Sequence, residues 1–77
     1  MDIKILGTGC AKCQALERNT RDAVADLGIS ASIEKVTDIQ SIMKYDILMT
    51  PGLVIDGEVV VSGKLASKEE IKKLLTR

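Results

Sequence analysis

Cys10-Ala11-Lys12-Cys13 sets two thiols three positions apart. The run before them, Asp2-Ile3-Lys4-Ile5-Leu6, reads as a strand, and the residues after them repeat apolar positions at helical spacing. A thiol at the mouth of a helix faces unpaired N–H groups and the positive end of the helix dipole, and both favour a thiolate. The thiolate is the form that attacks disulfides. It is also the form that binds soft metals. Three chemistries are therefore open. The pair can close and reopen a small disulfide ring, it can carry Cu(I), Zn(II) or a metalloid between both thiolates, or it can be two inert structural thiols. Inert thiols are the weakest of the three, because Cys10 precedes the apolar stripe and should be partly exposed, and a ring this small removes too little entropy from the unfolded chain to serve as a purely stabilising staple.

Composition narrows the choice. The 77 residues read as one domain, 1–77, with one Tyr, no Phe and no Trp, so the core is built from Ile, Leu, Val, Met and Ala. At this length folding buries roughly 60–65% of the unfolded chain's surface, and each apolar residue matters. There is no His, which removes the commonest general base and the commonest metal ligand. Two thiolates alone leave zinc short of ligands, and no metal site is expected. Eleven acidic and eleven basic residues balance, which gives no nucleic-acid or anionic-membrane footprint. No apolar run approaches the ~18–20 residues of a membrane span, and the first residues lack the pattern of a signal peptide. A cytoplasmic protein is expected.

The elements that must position the thiols follow from the spacing. After the first strand and the Gly7-Thr8-Gly9 turn, a helix is expected from about Cys10 to Leu27, with Cys13, Leu16, Thr20, Ala23, Val24 and Leu27 on its buried stripe and Gly28 ending it. Ile29, Ala31 and Ile33 alternate with polar residues and predict a half-buried edge strand. Thr37-Asp38-Ile39-Gln40 fits a capping box with Thr37 as N-cap, opening a short helix that buries Ile39, Ile42 and Met43. Thr50-Pro51 breaks the chain. Gly52-Leu53-Val54-Ile55 and Glu58-Val59-Val60-Val61 flank Asp56-Gly57, a strong hairpin signal. Ser67-Lys68-Glu69-Glu70 is a second capping box, with Ala66 and Ile71 placed as a staple and a final helix burying Ile71, Leu74 and Leu75. The order is β-α-β-α-β-β-α. A right-handed first crossover makes the first two strands parallel, and the expected product is an α/β fold with a four-stranded mixed sheet, order 2-1-3-4, and helices on both faces.

Cys-x-x-Cys after the first strand and Thr-Pro before the third resemble the thioredoxin fold. More closely, Gly7-Thr8-Gly9-Cys10-Ala11-Lys12-Cys13, Thr50-Pro51-Gly52-Leu53-Val54-Ile55-Asp56-Gly57 and Val59-Val60-Val61-Ser62-Gly63-Lys64 resemble the small thioredoxin-like redox-active disulfide proteins, over essentially the whole chain. The resemblance implies a dithiol–disulfide oxidoreductase that needs no cofactor. Cys10 matches the attacking thiol, Cys13 the resolving thiol, Pro51 a cis-proline and Gly63 a glycine that lets backbone pass near the site. A cis bond at Pro51 would turn the backbone of Thr50 outward, free to pair with an extended substrate. Two positions depart from the family's pattern: Ala11 stands where Pro is frequent after the first Cys, and Gly52 where Ala is frequent after the cis-proline.

The resemblance further implies a monomer, protein disulfides as substrates and a thioredoxin-reductase-like electron donor. Glutaredoxins hold glutathione through a Gly-Gly and acidic pair after the fourth strand. Ser62-Gly63-Lys64-Leu65-Ala66-Ser67 lacks the second Gly and those acids, and Lys64 would repel the glutathione ammonium. Met49 and Leu53 are candidate apolar contacts for a partner. The alternative is a soft-metal or metalloid carrier, although the heavy-metal-associated fold has the order β-α-β-β-α-β and no Thr-Pro before its third strand.

Overall fold

The computed structural model describes residues 1–47 and 49–77. Its elements are β1 (Asp2–Leu6), α1 (Ala11–Leu27), β2 (Ser32–Val36), α2 (Ile39–Met43), β3 (Gly52–Ile55), β4 (Glu58–Ser62) and α3 (Lys68–Thr76). The sheet order is β2-β1-β3-β4, with β1 and β2 parallel and the other two pairings antiparallel. This is the α/β thioredoxin-like architecture expected from the motifs.

Alternation along the strands divides the core in two. Ile3 and Ile5 of β1, with Leu53 and Ile55 of β3, face Leu16 and Ala23 of α1 and Ile71 and Leu75 of α3. Leu6 and Val54 point to the other face and pack with Ile42 of α2. The unbroken apolar run of β3 is thus buried on both sides, and all four of its residues are buried. Asp56 and Gly57 both take positive φ, 49° and 86°, which is the geometry a two-residue hairpin demands. Gly28 ends α1 in the left-handed region at φ 64°, with its N–H donating to the Ala25 carbonyl. Ser67 and Glu70 form the full capping box of α3, with Ala66 and Ile71 buried beside it.

Three expectations need correction. β2 begins at Ser32, not Ile29. β1 starts at Asp2, which lies opposite Ser32, so residues 29–31 have no strand to pair with. Ile29 and Ala31 still pack against the core, but as the approach to the strand. The N-cap of α2 is Asp38, not Thr37, because the Asp38 carboxylate accepts from both the Ser41 N–H and the Ser41 hydroxyl, at 3.2 and 3.0 Å. Finally, α2 has only five residues, and one turn can present only one residue squarely to the sheet. Ile42 is that residue, and Ile39 and Met43 stand 61% and 66% exposed. Among the described residues, no helix is long and apolar enough to cross a membrane.

Candidate active site

Cys10 is the N-cap of α1, in extended backbone, and its Sγ accepts a hydrogen bond from the Cys13 N–H at 3.2 Å. That N–H is one of the donors a helix start leaves without a backbone partner. A sulfur so placed is stabilised as the thiolate by a directed donor as well as by the helix dipole. Cys10 is exposed at the surface. Cys13, one turn on, is only 5% exposed and belongs to the buried stripe of the helix. The two sulfurs form a disulfide with their Cα atoms 5.0 Å apart. One open sulfur and one shielded sulfur in a single ring is an arrangement that an outside thiol can reach from one side only.

The glycines before the motif serve different purposes. Gly9 adopts φ 97°, a turn conformation that few side chains tolerate. Gly7 is glycine for space: a Cβ there would stand 2.9 Å from Cys13 Cβ and closer still to Cys13 Sγ. Its N–H donates to the Val36 carbonyl at 3.0 Å, so the backbone cannot easily retreat. Spacing alone places Gly7 only in a turn. Its position at the end of a buried strand, six residues before a stripe cysteine, was the available signal.

The Thr50–Pro51 peptide bond is cis. Pro51 is buried and Thr50 is exposed. The Pro51 carbonyl accepts from the Gly63 N–H at 2.8 Å, so these two motif residues touch directly. Gly63 sits at φ 70°, and a Cβ on it would come within 2.9 Å of Met49 Cβ. Gly52 is similarly enclosed, with Ile47 Cδ1 at 3.0 Å and the Val61 carbonyl oxygen at 3.4 Å from the place a Cβ would take, which gives the departure from Ala a steric reason. A groove of about 260 Å³ is walled by Thr8, Ile39, Met43, Met49 and Thr50, so the loop entering the cysteines and the loop entering the proline border one surface depression.

The two candidate partner contacts fare differently from one another. Met49 is 65% exposed on the rim of that groove, whereas Leu53 is fully buried in the core and presents nothing to a partner. Lys64 is not a free cation. Its Nζ donates to Glu70 at 2.6 Å, and this bond, followed by the Ser67 N–H, holds the Glu70 carboxyl below its ordinary range. Lys12 is exposed on the first turn of α1. Among the described residues no group of three or more His, Cys, Asp or Glu side chains is gathered as a metal site would require.

Comparison with known proteins agrees with this geometry. Residues 1–76 match the family model described as thioredoxin domain. A protein named thioredoxin from Methanothermobacter thermautotrophicus is 51% identical over 76 residues, covering 99% of both chains. Another of that name, from Methanocaldococcus jannaschii, is 47% identical over 73 residues, covering 95% of this chain and 84% of the relative. With a helix-capping disulfide on the expected sheet and two such relatives along its whole length, the chain belongs to the thioredoxin domain family and is a dithiol–disulfide oxidoreductase.

Proposed function

We propose that Cys10 and Cys13 divide the reaction between them, and that the substrates are protein disulfides. The Cys10 thiolate attacks one sulfur of the substrate disulfide, forming a mixed disulfide and releasing the first substrate thiolate. Cys13 loses its proton and attacks Cys10 Sγ, the Cys10–substrate bond breaks, and the second substrate thiolate leaves. The substrate is reduced, and the Cys10–Cys13 disulfide remains until an external dithiol donor of the thioredoxin-reductase kind reduces it. The observation that carries this assignment is the contrast in exposure and hydrogen bonding: Cys10 is open and holds the helix N–H, while Cys13 is buried behind it.

Thr50, Pro51 and Gly63 form the docking side. The exposed Thr50 backbone can pair with an extended segment beside the reacting sulfur, and the Gly63–Pro51 hydrogen bond holds that loop in place. Met49, Ile39 and Met43 offer adaptable apolar contact to residues flanking the substrate disulfide. Glutathione is a poor match, because the segment after β4 lacks the acids that would hold its ammonium. With Lys64 tied to Glu70, that absence rather than repulsion by Lys64 is the main reason. The chain acts as a single-domain monomer in the reducing cytoplasm.

A Cys13→Ser variant tests the assignment. Challenged with an inter-chain protein disulfide, it should accumulate a mixed disulfide through Cys10, visible by mass and reversed by dithiothreitol. A Cys10→Ser variant should trap nothing. Trapping through Cys13 instead, or equal trapping by both variants, would overturn the division of roles.

A further inference from the structure

The sulfur atoms of this chain belong to Cys10, Cys13, Met1, Met43 and Met49. With the two cysteines joined, the thioethers are the sulfurs left for a two-electron oxidant, and all of them are exposed. Met43 and Met49 wall the groove that runs from α2 to Thr50. Met1 precedes β1, at the opposite end of that strand from Thr8, which lines the groove. The two groove methionines are held differently. Met43 is the last residue of the single-turn helix α2. Met49 lies across Gly63: its Sδ is 3.6 Å and its Cγ 3.7 Å from the place a Cβ on that glycine would take. The Gly63 N–H in turn donates to the Pro51 carbonyl at 2.8 Å. The Met49 thioether is therefore packed on the backbone that holds the proline loop, one residue from Thr50. A sulfoxide there is polar and chiral where the thioether is apolar and adaptable. Its oxygen must either enter the tight contact with Gly63 and shift the loop, or stand hydrated in an otherwise apolar groove. Both outcomes oppose docking.

We propose that Met49 is a modification site: hydrogen peroxide converts its thioether to the sulfoxide, and this weakens the docking of protein disulfides without altering the reacting cysteines. The proposal rests on the reading, given above, that the Thr50 loop and its apolar rim dock the substrate. In the modification the Met49 sulfur gives a lone pair to one peroxide oxygen. An S–O bond forms, the O–O bond breaks, and the other oxygen leaves as water. The sulfur is oxidised by two electrons and the peroxide is reduced by two. Cys10 and Cys13 stay joined throughout. A chain already oxidised at its cysteines thus loses its hold on protein partners when the oxidant persists. It regains that hold when a methionine sulfoxide reductase, fed electrons by thiols, returns the sulfoxide to the thioether and releases the oxygen as water.

The test compares each protein with itself before and after oxidation. The disulfide form of the full chain is treated with hydrogen peroxide, cleared with catalase, reduced with dithiothreitol and desalted, and peptide masses locate the sulfoxides. Rates are then measured with insulin, a protein disulfide, and with 5,5′-dithiobis(2-nitrobenzoate), which is small enough to reach Cys10 without the groove. For the wild type the insulin rate should fall to about one tenth of its untreated value, the scale of losing one buried apolar side chain. The rate with the small disulfide should stay within about twofold, because the open thiolate is unchanged. Methionine sulfoxide reductases for both epimers should restore the insulin rate. Met43→Leu should lose its insulin rate on treatment as the wild type does, and Met49→Leu should not, even with Met1 and Met43 oxidised. Met49→Gln, polar without any oxidant, should reduce insulin slowly before treatment. A Met49 sulfoxide that leaves the insulin rate unchanged would overturn the proposal. So would an equal loss in Met49→Leu, or a loss with the small disulfide as large as that with insulin. Insulin reduction by untreated Met49→Gln at the wild-type rate would instead overturn the docking reading on which the proposal rests.

Discussion

Gly7→Ala is the substitution most directly priced by the structure. The new Cβ would lie 2.9 Å from Cys13 Cβ, where two carbons are ordinarily about 3.5–4.0 Å apart. Something must therefore move by about 0.6–1 Å. The strand side is pinned by the Gly7 N–H bond to Val36, and the helix side by Leu16, Thr20 and Ala23 in a closed core. Overpacking of this kind costs about 1–3 kcal/mol. With an m-value of about 1 kcal/mol/M for a chain this small, the urea midpoint should fall by about 1–3 M.

The loss should also depend on redox state. In the disulfide the Cys13 sulfur is held where the new methyl intrudes, whereas the free thiol can turn about χ1 and relieve part of the clash. An extra loss of about 1.4 kcal/mol in the oxidised form corresponds to a potential raised by about 30 mV. The assay is urea unfolding of the oxidised and reduced proteins, followed by far-ultraviolet circular dichroism. An oxidised midpoint equal to wild type, or a larger loss in the reduced protein, would refute the reasoning.

Three further outcomes follow from the same geometry. On single-cysteine variants Cys10 should be alkylated by iodoacetamide at least tenfold faster than Cys13 at neutral pH, because it is open and holds the Cys13 N–H; equal rates would contradict the capping argument. Ser67→Ala removes the side chain that accepts from the Glu70 N–H and should lower stability by about 0.5–2 kcal/mol without changing disulfide exchange, as read by thermal melting and a turbidity assay of insulin reduction. Asp26, held below its ordinary range first by the Lys68 hydrogen bond, and Glu70, held down first by Lys64, both bind protons less readily folded than unfolded. Their contribution is present above the unfolded carboxylate range and is lost as pH falls through the lowered folded values. Melting temperature should therefore drop on the acid side of that range, and Asp26→Asn should flatten the drop; an unchanged slope would show that the ties from Asp26 to Lys68 and Lys72 are silent.

Much of this molecule was legible from spacing alone. The stripe from Cys13 to Ala23, the Asp56-Gly57 turn, the Gly28 stop and the Ser67 box are local devices, each decided by residues within about one turn of one another. Their order in the chain then leaves few topologies open, which is why the sheet order 2-1-3-4 could be anticipated. The pairing of Cys10 with Cys13 belongs to the same class, since a helix start places them together.

Features that depend on two distant elements could not be read this way. Where β2 begins was decided by where β1 offers a partner, and a shift of one residue would have turned every β2 side chain to the opposite face. The exposure of Ile39 and Met43 follows from how little of the sheet a single turn of helix can cover. The need for glycine at position 7 arises only when α1 is laid on β1 and Cys13 comes down on the strand end. The amino-acid sequence by itself determined which thiols react and what holds each element; the tertiary structure alone decided what borders the docking groove, because the packing of distant segments, not spacing along the chain, lays Met49 on Gly63 and brings the proline loop to the loop that enters the cysteines.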